Sequence, residues 1–214
     1  MHVFPFTIVG FDLDGTLLDT SVDLAAAVNH ALATIGRAPL TVDRVRPMIG
    51  GGGRHMLQLA LAASGDEALL DRLYPVMIDF YAAHIAVHTA PFPGALAMLD
   101  GLAARGVKIA LVTNKAEKLA RPLLDALGLT PRFAWIIGGA GKPSPEPIQT
   151  MIARCGGGRA AFVGDSIYDV GAARAAGIPA VACAFGFLDK PVEALGAEAV
   201  IAHFDELIPV LESL

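Results

Sequence analysis

Short apolar runs that do not alternate with polar residues constrain this chain more than any other feature of its sequence. Four are strong, at residues 7–11, 108–113, 160–164 and 178–184, and two are weaker, at 135–138 and 199–202. A strand wetted on one face alternates apolar with polar residues. A run that is apolar throughout suits a parallel sheet covered on both faces. Helical patterns lie between the runs. Leu96, Leu99 and Leu102 share a face, and Gly106 follows as a stop; Leu119, Leu123 and Leu127 repeat this with Gly128. Pro122 falls inside the second pattern and argues against an unbroken helix there. Ser144 then Pro145 reads as the cap and first residue of the next helix. From about residue 94 onward the expectation is therefore β/α alternation in a doubly wound sheet.

Residues 20–87 differ, with helical patterns at 22–35, 42–49, 55–63 and 67–83 and no strand-like run. Thr20 with Asp23 resembles a capping box at their start. Pro91, Pro93 and Gly94 mark the return of the chain. The expected architecture is thus an α/β core of residues 1–19 and 88–214 with an all-helical insertion at 20–87. At ~150 residues per domain, 214 residues give about 1.4 domains, which fits one core with an insertion. A chain this long buries roughly 70% of its unfolded surface and needs no disulfide or metal to fold. With 54% apolar and 17% charged residues it is not intrinsically disordered.

A net charge of −5 and the lack of a basic cluster argue against a nucleic-acid groove or an anionic membrane surface. Cys155 and Cys183 are too few for a disulfide framework, and Cys183 reads as a small core residue. The N-terminal apolar stretch lacks a basic region before it and is broken by Asp12 and Asp14, unlike a signal peptide. No run reaches the ~18–20 residues of a membrane span. The expectation is a soluble protein of a reducing cytoplasm.

The first strand ends in Asp12-Leu13-Asp14-Gly15-Thr16. In a parallel sheet the C-terminal strand ends face the ligand crevice. Thr113-Asn114 ends the second strand, and Gly164-Asp165-Ser166 ends the fourth, with Asp169 one turn on. Lys142 precedes Pro143 in a loop near the end of the third. Each has a plainer reading: a solvated Asp-Gly turn, a strand-end threonine, a surface lysine, and a capping box made by Ser166 with Asp169. Their convergence on one sheet edge favours chemistry.

These motifs, DLDGT at 12–16, Thr113, KPSPEP at 142–147 and GDSIYD at 164–169, resemble in order and context those of the haloacid dehalogenase superfamily of phosphatases. The resemblance covers the whole chain, including a helical cap inserted after the first motif. Within the superfamily the chain is similar to the phosphoglycolate phosphatases, through stretches at 23–27, 46–50, 113–115 and 163–187. A phosphate monoester repels an anionic nucleophile, so a cation must neutralise it while the nucleophile is held in line. The resemblance implies that Asp12 attacks phosphorus to form an aspartyl-phosphate. It implies that Asp14 protonates the leaving alcohol and then deprotonates water. Mg²⁺ would be held by the Asp12 carboxylate, the Asp14 backbone carbonyl and Asp165. Thr113 and Asn114 would bind the phosphoryl oxygens, and Lys142 would pair with Asp12 and the phosphate. Asp169 would orient Lys142 or support the metal's ligands.

Gly50-Gly51-Gly52-Gly53-Arg54-His55 opens a helix of the insertion, and N–H groups at a helix start suit an anion. With a cap facing the core, Gly52 and Arg54 are expected to read a substrate carboxylate; the alternative is a flexible linker. His30, His84 and His88 show no metal-ligand spacing.

Rival classes fare worse. Residues 156–161 match a dinucleotide fingerprint by letters but precede a strand. Gly141-Lys142 lacks the rest of a P-loop, Arg159 follows Cys155 too closely for a cysteine phosphatase, and no nucleophile elbow surrounds Ser166. Asp14 argues against dehalogenases and phosphonate hydrolases, which lack that acid. Residues 20–90 contain no lysine, against phosphonate hydrolases again and against phosphosugar mutases. A catalytically silent interaction protein would not need the intact set of acids. The expected activity is hydrolysis of a small phosphorylated metabolite, 2-phosphoglycolate first, by a monomer or homodimer. The alternatives are a sugar-phosphate phosphatase, a pyrophosphatase or a phosphosugar mutase.

Overall fold

Ile8 and Val9 are neighbours in sequence, both fully buried, and they pack into different cores on opposite faces of one sheet. That is why the first apolar run does not alternate. The computed structural model describes residues 4–63, 65–188 and 190–214. In chain order its elements begin with β1 (Ile8–Phe11), β2 (Leu18–Asp19), α1 (Ser21–Ala33), α2 (Val42–Val45), α3 (Gly53–Ala62) and α4 (Leu70–Ala83). They continue with β3 (Ala90–Pro91), α5 (Ala95–Ala104), β4 (Lys108–Thr113), α6 (Glu117–Ala126), β5 (Trp135–Gly138) and α7 (Glu146–Arg154). The last are β6 (Ala160–Gly164), α8 (Ile167–Ala175), β7 (Ala180–Cys183), β8 (Ala199–Ile201) and α9 (Leu207–Ser213).

The main sheet is parallel throughout, with strand order β5-β4-β1-β6-β7-β8. Val9, Phe11, Leu111 and Val163 share one core with Leu99 of α5, Leu123 of α6 and Leu207 of α9. Ile8, Val112 and Phe162 share the other with Met151 of α7 and Val170 of α8. The chain leaves β1 for β4 on one side and later returns to β6 on the other, so β1 lies at the switch point where a ligand crevice forms.

The helical insertion has its own core, in which Leu24 and Val28 of α1 meet Leu57 and Leu61 of α3 and Leu73 and Met77 of α4. A two-stranded ribbon spans its entry and exit, where Leu18 pairs with Pro91 and Asp19 with Ala90. Strands of two residues carry no periodicity, which is why the sequence did not predict them.

Several local expectations are corrected. Thr20 and Asp23 do not form a capping box. The Asp23 carboxylate instead accepts from the Val87, His88 and Thr89 N–H groups and from Thr89 Oγ1, 2.7 Å away, tying the first helix of the insertion to the chain that leaves it. The pattern at 42–49 is one turn of α2 and then a 3-10 turn, Arg46–Met48, because Pro47 has no N–H to continue an α-helix. α6 runs unbroken through Pro122, which lies on the exposed side where water can reach the carbonyl it leaves unpaired. α7 begins one residue later than expected, capped by Pro145, while Ser144 Oγ accepts from the Glu146 N–H. Cys183 is buried in the core, as its apolar setting suggests.

Candidate active site

The end of β1 carries Asp12 and Asp14, the end of β4 carries Thr113, and the end of β6 carries Asp165, all buried. Asp12 stays in register because its N–H donates to the Val163 carbonyl at 2.9 Å. Gly15 then turns the chain with φ of +83°; a Cβ there would fall 2.2 Å from Asp165 Oδ2. Gly164 likewise leaves room for Asp169, whose Cβ would be 2.3 Å from a Cβ at that position. One carboxylate oxygen from each of Asp12, Asp165 and Asp169 lies within 4.8 Å of the others.

Lys142 supplies the counter-charge. Its Nζ stands 2.9 Å from Asp12 Oδ1, pairs with Asp169 Oδ1 and donates to the Val112 carbonyl at 2.9 Å. The contact with Asp12 is a close ion pair, and Asp12 Oδ1, although buried, has no hydrogen-bond partner of good geometry among the described residues. Asp169 combines both of its proposed readings. It completes a capping box with Ser166 at the start of α8 and also pairs with Lys142. Its Oδ2 accepts from the Asp165 and Ser166 N–H groups and from Ser166 Oγ, so its acceptor capacity is largely used. Asp165 accepts from Thr16 Oγ1 at 2.9 Å and from the Phe187 N–H at 2.7 Å.

Burial sets the electrostatics. It pushes the Asp12 carboxyl up to about 6, against the pull of the Lys142 charge. It also raises Asp165 well above the ordinary carboxylate range, with the charges of Asp169 and Asp12 adding to the effect. For Lys142 burial acts against the charge, but Asp12 and Asp169 outweigh it and the ammonium is held more tightly than usual.

A cavity of about 240 Å³ lies between this edge and the helical insertion. Asp12, Asp14, Thr113 and Asn114 line it from the core, and residues 50–54 line it from the insertion. Two expected ligand-binding side chains are committed elsewhere. The Asn114 amide donates to the Gly50 and Lys142 carbonyls and its oxygen accepts from the Lys142 N–H, so it staples the glycine segment and the lysine loop together. Arg54 is turned toward Asp71, with its guanidinium about half exposed and 5.8 Å from the Tyr74 ring centroid. Gly52 caps α3 and lines the cavity.

The sequence assigns Lys115 no role, although it follows Thr113 and Asn114. It is buried, and its Nζ donates to Asp14 Oδ1 at 2.8 Å and Oδ2 at 3.0 Å. Burial opposes its charge, and Asp14 more than compensates, raising its pKa. Thr20 donates to Asp14 Oδ1 at 2.7 Å. Lys115 and Asp14 are 101 residues apart, and nothing local signals the pair.

The model for haloacid dehalogenase-like hydrolases matches residues 9–183, and the chain belongs to that family. Among its relatives are two proteins named phosphoglycolate phosphatase. The one from Caulobacter vibrioides is 41% identical over 95% of this chain and 90% of its own length. The one from Agrobacterium fabrum is 41% identical over 94% and 90%. The crystal structure of a Lactobacillus delbrueckii subsp. bulgaricus protein superposes with a TM-score of 0.90 at 28% identity, covering 97% of this chain and 98% of that one.

Proposed function

We propose that this protein is a Mg²⁺-dependent phosphatase of a small phosphate monoester, 2-phosphoglycolate first, acting through an aspartyl-phosphate on Asp12, with residues 20–87 as its cap. The observation that carries this reading is Asp12 Oδ1, a buried carboxylate oxygen at the cavity with the Lys142 cation 2.9 Å away and no hydrogen-bond partner of good geometry among the described residues. The names of the relatives support the substrate. Our reading places it in the cytoplasm as a monomer or homodimer; both cysteines are free, and no helix among the described residues is long and apolar enough to cross a membrane.

An oxygen of Asp12 attacks phosphorus, the ester P–O bond breaks, and its electron pair leaves on the alkoxide, which takes a proton from Asp14. Asp14 then takes a proton from water, whose oxygen attacks phosphorus and displaces the Asp12 carboxylate. Lys115 and Thr20 hold the Asp14 carboxylate in place for both transfers. Lys142 balances the charge of Asp12 during attack, and Thr113, whose Oγ1 accepts from the Lys115 N–H, lines the cavity where phosphoryl oxygens would sit.

The donor set fits a hard divalent cation. It consists of carboxylate oxygens, Asp12 has an unused one, and two raised carboxyls lie within reach. Asp12, Asp165 and the Asp14 backbone carbonyl would hold Mg²⁺, with Asp169 supporting from behind. The bound ion would supply positive charge opposite the phosphoryl oxygens. A native carboxyl raised above its unfolded value keeps extra protons, so its contribution to stability is present below about pH 4 and is lost as pH rises through the native value, about 6 for Asp12. Mg²⁺ competes with those protons. Its addition is therefore expected to raise the melting temperature more at pH 7.5 than at pH 5, and a shift independent of pH would contradict this assignment.

Asp14→Asn tests the proton-transfer role. The loss of kcat on 2-phosphoglycolate is expected to be ~10²–10⁴-fold. It should shrink on p-nitrophenyl phosphate, whose leaving group needs little protonation. Equal losses on both would count against Asp14 as the acid. A panel of phosphate esters, sugar phosphates included, tests the substrate, and a better ester than 2-phosphoglycolate by kcat/KM would replace it.

A further inference from the structure

Tyr81 lies on α4, on the insertion side of the cavity, and is 1% exposed. Its hydroxyl has no hydrogen-bond partner among the described residues. A buried hydroxyl without a partner is costly, and replacing it by hydrogen would remove the cost. Among the described residues no packing contact of the insertion uses this oxygen, and it lies at the cavity where a ligand can reach it. The rest of the insertion's wall offers little to a polar ligand: Leu24, Ile49, Met56, Met77 and Ile78 are apolar. Arg54 is turned to Asp71, and the insertion contains no lysine.

The core supplies a second group at the same place. The Lys115 ammonium stands 4.6 Å from the Tyr81 ring centroid. It is near enough for its charge to act on the Tyr81 hydroxyl, whose own O–H remains free to donate. Two of the three ammonium N–H groups go to the Asp14 carboxylate, which leaves one. A hydroxyl donor and a cation side by side suit an anionic acceptor. Their position fixes where on the substrate that acceptor lies. Both sit beside Asp14, which the proposed mechanism sets against the ester oxygen. The group they meet is therefore a near neighbour of that oxygen, as the carboxylate of a phosphorylated 2-hydroxy acid is.

We propose that the Tyr81 hydroxyl and the remaining N–H of Lys115 together read the carboxylate of a 2-phospho-hydroxy acid, one group supplied by the insertion and the other by the core. This rests on the phosphatase reading and moves carboxylate recognition away from Gly52 and Arg54. It also makes recognition depend on closure: Tyr81 reaches the carboxylate only when α4 stands over β4's end, so a substrate without that group loses a contact that holds the two parts together.

The experiment compares Tyr81→Phe with wild type on 2-phosphoglycolate and on ethyl phosphate, which has an alkyl leaving group and no carboxylate. The expected result is a loss of about tenfold or more in kcat/KM on 2-phosphoglycolate and less than about threefold on ethyl phosphate, the scale of one charge-assisted hydrogen bond. The melting temperature should stay equal or rise, because Phe removes an unpaired buried oxygen. Equal losses on the two substrates, no loss on either, or a lower melting temperature would each overturn the inference. The phosphatase reading fails separately: wild type would then show no preference for 2-phosphoglycolate over ethyl phosphate. A wild-type preference that survives unchanged in Tyr81→Phe overturns only the role of Tyr81.

Discussion

Asp12→Asn is expected to abolish turnover of every phosphate ester while the protein stays folded. Asn has the shape of Asp and lacks the anionic oxygen that would attack phosphorus. Losing a nucleophile costs on the order of 10⁴-fold or more in kcat where neighbouring groups act as a unit with it. The fold should survive because Lys142 keeps Asp169 as its partner and the Val112 carbonyl as its acceptor. Removing the charge also relieves crowding, since Asp12 is one of the charges that raise Asp165. Phosphate release and a thermal melt on the same preparation check both halves. A variant keeping more than about a tenth of wild-type kcat would remove Asp12 as nucleophile.

The second large effect is on stability. Lys142→Met fills a similar volume with an apolar chain and leaves the Asp12 and Asp169 carboxylates buried without their cation. Breaking a buried pair in this way costs about 3–5 kcal/mol. For a chain of this length that corresponds to a fall of roughly 6–20 °C in melting temperature. Activity should be lost with it. The deficit should narrow at pH 5, below the raised value of Asp12, where that carboxyl takes up a proton, and adding Asp169→Asn should recover part of the melting temperature but none of the activity. A melting temperature unchanged by Lys142→Met would show that the two carboxylates are compensated by something else.

Much of the fold was legible because its signal is local. A strand buried on both faces shows itself as an unbroken apolar run, and β1, β4 and β6 fall where those runs lie. Residues just past a strand are aimed by the backbone ladder itself, so Asp12, Thr113 and Asp165 reach one edge without help from distant side chains. The Ser166–Asp169 capping box was legible for the same reason, being closed within four residues. The match to the haloacid dehalogenase-like hydrolases, residues 9–183, spans all of these short segments.

Thr20 shows where local signals mislead. Its spacing to Asp23 matches a capping box, yet its hydroxyl goes to Asp14 and Asp23 goes to residues 87–89. A buried carboxylate acceptor or a set of backbone donors outcompetes a helix cap, and only the folded chain brings them near. Arg54 reads as a substrate ligand from its place at a helix start; it lines the cavity, and only the folded chain also brings it to Asp71, in an exposed ion pair.

By itself the sequence determined the parallel sheet, the helical insertion and which acids and lysine stand at the strand ends, because each depends on residues a few positions apart. Tertiary structure alone decided that Lys115 meets Asp14 across 101 residues, that Asn114 staples Gly50 to Lys142, and that the Tyr81 hydroxyl is buried at the cavity without a partner among the described residues. Those contacts are made by side chains reaching between separately packed elements. Their meeting depends on how α4 and the glycine segment settle over the sheet edge, a geometry that no local period or spacing encodes.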